Sequence, residues 1–136
     1  MDEPIISIKT NDLWSMNVTP LVTVITSVYN RRELLLRAMQ SVDNQSFKNM
    51  EYIVVNNGSS VNIDDVVEDF LKQATIPVMY IKRSSGSGPH TGKNSAIRRA
   101  RGKYLSMLDS DDEFLPNTMQ VFVNYWEKLP VENRNE

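Results

Sequence analysis

Apolar residues along this chain fall into two alternating patterns, short continuous runs and stripes recurring every three or four positions. The first run is Leu21-Val22-Thr23-Val24-Ile25-Thr26, rich in β-branched residues. Continuous apolar character predicts a strand covered on both faces, as in a parallel sheet. Asn30 follows, with Glu33 three residues later, a capping-box pattern with Asn in the usual Ser or Thr place. Leu34, Leu35, Ala38, Met39 and Val42 then recur at helical spacing as far as Asp43-Asn44. The unit repeats in kind. Tyr52-Ile53-Val54-Val55 predicts a second buried strand, Asn57-Gly58-Ser59-Ser60 a turn, and Val66, Val67, Phe70 and Leu71 a second helical stripe. Val78-Met79-Tyr80-Ile81 predicts a third strand and Ser84 to Pro89 a loop. A third helix is expected over Asn94 to Arg101, stopped by Gly102 at its C-cap. Tyr104 to Leu108 predicts a fourth strand, running directly into Asp109-Ser110-Asp111-Asp112. Pro116 opens a last helix carrying Met119, Phe122, Val123 and Trp126.

Strands alternating with helices predict an α/β fold with a mostly parallel sheet and right-handed crossovers. In such sheets ligands bind beyond the carboxyl ends of the strands, where strand order reverses. Here polar residues gather at those ends: Ser27, Tyr29 and Asn30 after the first strand, Asn56 and Asn57 at the second, the aspartates after the fourth. A strand order of 3-2-1-4 brings these groups into one crevice. Residues 1–19 read as an N-terminal extension with a short strand at Ile5 to Ile8, 20–130 as the domain, and 131–136 as a polar tail.

The chain's 136 residues are enough for one domain and one core. A net charge of -2 gives no general attraction to nucleic acid or to an anionic membrane, so an anion site must be local. Without cysteine there is no disulfide framework and no thiolate metal site. The start lacks the pattern of a signal peptide, and no apolar stretch approaches the roughly 20 residues of a membrane helix. A cytoplasmic location is expected, reaching the inner face of the membrane only through a parent protein or a partner.

Three aspartates in four positions at a strand end repel one another, and a divalent cation would offset that repulsion. Mg2+ or Mn2+ prefers oxygen ligands and keeps positions open for phosphate oxygens. Taken alone, the same spacing describes a solvated acidic turn in which Asp109 or Asp112 caps the next helix. Asn56-Asn57-Gly58-Ser59 makes a good turn, but the Asn pair also sits where an amide could pair with a base edge. Gly88 to Asn94 joins a Gly/Ser-rich loop to a helix start, where free N–H groups and Lys93 would attract an anion; a mobile loop with a solvated lysine reads the same way. His90, the sole histidine, has no second His or Cys to make a ligand set and stays outside the catalytic group.

Taken in order, these segments resemble the N-terminal half of family 2 glycosyltransferases over about residues 20 to 130. Val24 to Arg31 matches a first strand ending in Tyr-Asn, and Ser41 to Phe47 a helix end with Ser, Gln and an aromatic. Asn56-Asn57-Gly58-Ser59 stands where the family has Asp-Asp-Gly-Ser, Gly92-Lys93-Asn94 where it has Ala-Arg-Asn, and Ala100 to Leu105 matches Ala-Arg-Gly-x-Tyr. Asp109-Ser110-Asp111-Asp112 stands where it has Asp-Ala-Asp-Asp. The resemblance implies a GT-A (Rossmann-like) sheet flanked by helices, with the second half of that domain absent. It implies a nucleotide site of Ser27, Tyr29, Asn30, Asn57, Lys93, Asp109 and Ser110. Asp111 is implied as the direct ligand of Mn2+ or Mg2+, with Asp109 in the metal shell.

The activity implied by the resemblance is sugar transfer with inversion from a nucleotide-diphosphate sugar, UDP-sugars favoured, to a saccharide or lipid-linked acceptor. No nucleic acid is involved, and an oligomer is compatible. Two residues depart from the family. Asn56-Asn57 replaces a carboxylate pair, which leaves the base open because an amide both donates and accepts. Lys93 replaces arginine, keeping charge but losing bidentate geometry. The acceptor's general base is expected from a second half of the domain, Glu113 being too near the metal motif, so the chain alone is expected to bind a nucleotide. The alternative is a non-catalytic nucleotide-binding or assembly module of the same fold. A nucleotidyltransferase lacks its Gly-rich basic first loop here, and a dinucleotide oxidoreductase its G-x-G-x-x-G.

Overall fold

The apolar runs become strands and the periodic stripes become helices. The computed structural model describes residues 5–14, 19–84 and 89–129, with the backbone alone for 89–91. The expected tail at 131–136 and most of the Gly/Ser-rich loop lie outside the described residues, as does the side chain of His90. In chain order the elements are β1 (Ile5–Thr10), β2 (Val22–Val28), α1 (Leu35–Asp43), β3 (Met50–Asn57), α2 (Asp64–Gln73), β4 (Val78–Arg83), α3 (Pro89–Arg99), β5 (Tyr104–Met107) and α4 (Thr118–Lys128).

The sheet runs β1-β4-β3-β2-β5. Its four parallel strands follow the expected 3-2-1-4 order, with β3 beside both β2 and β4 and β2 beside β5. The short strand expected near the N-terminus is present. It extends to Thr10 and pairs antiparallel with β4, closing that edge of the sheet.

One face of the sheet packs on α1, α2 and α4. Leu35, Ala38, Met39 and Val42 meet Ile63, Val67 and Phe70, with Met119 and Val123 completing the layer. The other face is smaller: Ile25, Ile53, Val55, Met79 and Ile81 lie against Ala96 of α3, with Trp14 partly covering them. All eight residues of β3 are buried, as a central parallel strand requires. β5 is different, because Leu105 and Met107 are exposed on the face away from α4.

Four local expectations need correction. Asn30 does not cap α1: the helix starts five residues later behind Leu34, with no side-chain cap. Asn30 instead adopts a left-handed φ of 55° and accepts bonds from the turn after β3. Helix α3 begins at Pro89 rather than Asn94, because proline suits a first helical position. Gly92 is tolerated inside that helix because a Cβ there would lie 3.1 Å from the Asn57 Cγ. Gly102 is not a C-cap, since α3 ends at Arg99 and Gly102 has no positive φ. Phe122 is half exposed: Met119, Val123 and Trp126 turn α4 toward the sheet and leave it at the margin.

Glu51, fully buried near the start of β3, is the strongest polar demand inside the sheet. Its Oε2 accepts from Thr23 Oγ1 at 2.8 Å and from the Arg101 backbone N–H at 2.7 Å. Its Oε1 accepts from Arg101 Nε at 2.7 Å, and the same guanidinium lies 4.1 Å from the centre of the Trp14 ring. Gly102 then passes so close to β2 that an added Cβ would stand 2.6 Å from both the Thr23 backbone N and its Oγ1.

Arg101→Gln should therefore destabilise the fold by about 3 kcal/mol, because it leaves a buried carboxylate without its ion pair. Arg32→Gln, which breaks an exposed pair with Asp65, should barely move the denaturation midpoint. Equal losses in urea melts of the two variants would contradict this. Gly102→Ala must displace backbone rather than a flexible side chain, and should cost about 2 kcal/mol and lower Tm by several degrees in calorimetry.

Candidate active site

The carboxyl ends of the parallel strands carry polar residues whose environments differ. Asn56 and Asn57 are adjacent on β3 and so point to opposite faces of the sheet. Asn56 donates to Tyr80 Oη at 3.0 Å and accepts from the Ser59 backbone N–H at 3.0 Å. Tyr80 in turn donates to Asp64 Oδ1 at 2.6 Å, and burial, followed by that carboxylate, pushes its phenol well above its ordinary range. Asn56 thus belongs to the framework. Asn57 faces α3, where its Oδ1 accepts from Arg83 Nη1 at 2.6 Å. Ser27 shares that face, since a Cβ on Gly92 would meet its Oγ at 3.2 Å as well as Asn57. Lys93 follows Gly92 early in α3 and is half-buried.

The loop after β2 is tied to the loop after β3. The Asn30 Oδ1 accepts from the Ser60 N–H at 2.7 Å and the Val61 N–H at 3.2 Å, while the Asn30 N–H donates to Ser59 Oγ at 2.9 Å. These bonds explain the left-handed backbone, which asparagine tolerates better than most residues. Arg32 adds a fork to both oxygens of Asp65, at 2.6 and 2.8 Å. That bond holds the Asp65 carboxyl down to about 2. Tyr29, between these anchors, is exposed by 57% and presents its ring to solvent.

β5 delivers the acidic turn. Leu108 N–H donates to Ile25 O at 2.9 Å, and Asp112 N–H donates back to Asp109 O at 3.1 Å. The tight turn brings one carboxylate oxygen each of Asp109, Asp111 and Asp112 within 4.8 Å of one another, all three side chains exposed. Oxygen-only ligands gathered this way could hold a hard divalent cation such as Mg2+ or Mn2+. Ser110, in contrast, is buried beneath the turn. Arg31 lies beside the cluster, its Nη1 3.7 Å from Asp111 Oδ2, which joins the β2 and β5 ends.

Helix α1 holds the acidic segment from below. Arg37, Ser41 and Gln45 are four residues apart and so fall on one side of the helix and its extension. Arg37 Nη2 donates to the Asp111 carbonyl at 3.2 Å, and Ser41 Oγ accepts from the Phe114 N–H at 3.0 Å. Gln45 is fully buried; it donates to Leu115 O at 2.6 Å and accepts from the Met119 N–H at 2.9 Å, satisfying the first turn of α4. The sequence alone assigns no role to these three residues, nor to Arg31 and Arg83. The available signal is the recurrence of Arg37, Ser41 and Gln45 at four-residue spacing along the helix and its extension.

A concavity of about 830 Å³ lies elsewhere, between β1 and α2, lined by Lys9, Asn11, Asp12, Glu68 and Lys72 among others. It sits toward the opposite ends of the parallel strands, away from the acidic turn, and its Lys9 and Glu68 pair with each other. None of the helices among the described residues is long and apolar enough to cross a membrane.

Known proteins share this fold and parts of this sequence. Over 76% of its length the chain is 32% identical to the GalNAc(5)-diNAcBac-PP-undecaprenol beta-1,3-glucosyltransferase of Campylobacter jejuni, and it spans 34% of that relative. Its fold matches the mannosyltransferase PcManGT from Pyrobaculum calidifontis, solved with GDP-Man and Mn2+, at a TM-score of 0.74 and 20% identity, covering 84% of this chain and 34% of that one. It also matches S. aureus TarS 1-349, solved with UDP-GlcNAc, at a TM-score of 0.68 and 23% identity, covering 79% of this chain and 31% of that one. The sheet is thus that of the GT-A glycosyltransferases. The family model for glycosyl transferase family 2 matches residues 23–133, and the chain belongs to that family.

Proposed function

We propose that the strand-end crevice is the donor site of an inverting glycosyltransferase, binding a nucleoside-diphosphate sugar with a divalent cation. The observation that carries this reading is the convergence of three carboxylates at the end of β5, beside Arg31 and braced by α1. Asp111 and Asp109 would hold Mn2+ or Mg2+, which supplies electrostatic stabilisation of the departing diphosphate when bound. Ser27, Tyr29 and Asn57 would line the nucleoside, with Tyr29 offering its exposed ring to the base. Asn30 shapes this wall through its bonds to the β3 turn, and Ser110 shapes the floor of the acidic turn.

In the reaction the acceptor oxygen bonds to the anomeric carbon as the bond from that carbon to the diphosphate oxygen breaks. The acceptor proton passes to a general base, and negative charge gathers on the leaving diphosphate. Lys93 and Arg31 would be the cations facing that charge, acting more strongly in the transition state than in the ground state. The ligands of similar structures support the donor class: one holds UDP-GlcNAc and another GDP-Man with Mn2+. The Campylobacter relative, named for a saccharide on an undecaprenol carrier, supports a lipid-linked saccharide acceptor. Such an acceptor would be met at the cytoplasmic face of the membrane, through a parent protein or partner.

Asp111→Asn should remove the Mn2+ dependence of nucleoside-diphosphate binding and weaken that binding at least about tenfold. Calorimetric titrations with Mn2+ and with chelator would show it. Equal affinity in all four combinations of protein and metal would refute the metal assignment.

A further inference from the structure

We infer that the open edge of β5 is where two copies of this chain pair, strand against antiparallel strand, in a register centred on Ser106. The inference concerns a surface outside the donor-site reading and stands independently of it.

β5 ends the sheet, and among the described residues it is paired on one side only, with β2. The Tyr104 N–H donates to Leu21 O and the Leu108 N–H to Ile25 O, each at 2.9 Å. Backbone groups alternate in direction along a strand, so those of Leu105 and Met107 point out of the sheet edge. Side chains alternate as well. Tyr104 and Leu108 are buried, whereas Leu105 and Met107 are 45% and 41% exposed on the opposite face. Natural edges are commonly blunted by a lysine or proline within the strand. Here both exposed positions inside the strand are apolar, and the charges stand just outside it, Lys103 before and Asp109 after, both exposed.

That exposed face is complementary to itself reversed. When two such edges run antiparallel about Ser106, Leu105 of one copy lies opposite Met107 of the other, with outward-facing backbone groups on both, and Lys103 lies opposite Asp109. Directly opposed side chains share a face about 5 Å apart, so the apolar pair is covered and the lysine reaches the carboxylate. Two-fold symmetry makes each pair occur twice. Registers centred on Leu105 or on Met107 also oppose outward-facing backbone groups, but neither sets Lys103 against Asp109. The charges therefore choose the register. Because Asp109 belongs to the acidic cluster, each copy would also bring a lysine to the acidic turn of the other.

The face toward α4 is unfinished at the same margin. A groove of about 230 Å³ is lined by Tyr104, Ser106, Phe122 and Trp126 among others. Tyr104 is buried, yet its hydroxyl has no hydrogen-bond partner among the described residues, and Phe122 is half exposed. The two-fold axis of an antiparallel edge pairing runs perpendicular to the joined sheet. Both α4 helices would therefore lie on one side of it, with the groove of each copy at the seam.

The test is sedimentation velocity over a concentration series, with chelator present so that no cation competes for Asp109. Wild type should show a dimer whose share grows with concentration. Leu105→Lys changes an exposed position, so its thermal melt should match wild type. It should weaken association at least about tenfold, because symmetry counts the change twice. Ile8→Lys, on an exposed position of the opposite edge strand β1, should associate as wild type does. Lys103→Glu and Asp109→Lys should each be monomeric alone, because like charges then meet at both ends of the pairing. Mixed together they should dimerise, because each then meets opposite charge at both ends. Wild type that stays monomeric at every concentration would overturn the inference and leave the edge to a strand of a different polypeptide. A dimer undiminished by Leu105→Lys, a dimer lost in Ile8→Lys, or no association in the charge mixture would overturn it equally.

Discussion

The central strand β3 is buried along its whole length, so every polar group it carries inward must find a partner. That requirement organises both ends of the domain. At the amino end Glu51 draws in Thr23, Arg101 and, through its backbone, the turn that launches β5. At the carboxyl end Asn56 and Asn57 draw in Tyr80, Ser59 and Arg83. The same strand thus fixes where β5 starts and shapes one side of the strand-end crevice. Because β5 is only four residues long, a shift at its start would be passed almost undiminished to the aspartates at its end.

The carboxylates themselves are exposed, and exposed loops are usually mobile. Here the loop is braced by a helix rather than by its own burial. Arg37, Ser41 and Gln45 bond to backbone groups of Asp111, Phe114, Leu115 and Met119. Backbone bonding leaves the acidic side chains exposed, with Arg31 the cation beside Asp111. Asn30 does the same for the neighbouring loop, meeting backbone N–H groups after β3 with a single side-chain oxygen. The site is therefore made of loops that are free at their tips and tied at their bases, which suits a ligand that must both enter and leave.

Much of the fold was legible because buried parallel strands are written as unbroken apolar runs and helices as stripes. The strand order was readable from the polar residues at strand ends, which make chemical sense only when brought together. What was misread depended on partners distant in sequence. Asn30 looks like a helix cap to its neighbours, yet its bonds run to residues about thirty positions away. Gly102 looks like a helix stop, yet its lack of a side chain answers to the backbone of Thr23. Phe122 fits the helical stripe, but α4 lies at the sheet margin, where the apolar face is wider than the surface available to cover it. Gln45 was visible as part of a motif, but only packing shows that it terminates one helix and begins another.

The two asparagines carry that lesson into chemistry. In sequence they are a matched pair replacing two carboxylates, and an amide is ambiguous because it can donate or accept. Strand geometry separates them to opposite faces, and each face supplies a different partner. Tyr80 and Ser59 absorb Asn56 into the framework. Arg83, 26 residues away in sequence, donates to the Asn57 oxygen on the other face. An arginine there would be compatible with a carboxylate as well. Neighbours in sequence, the two amides thus answer to different partners because a strand sends adjacent side chains to opposite faces.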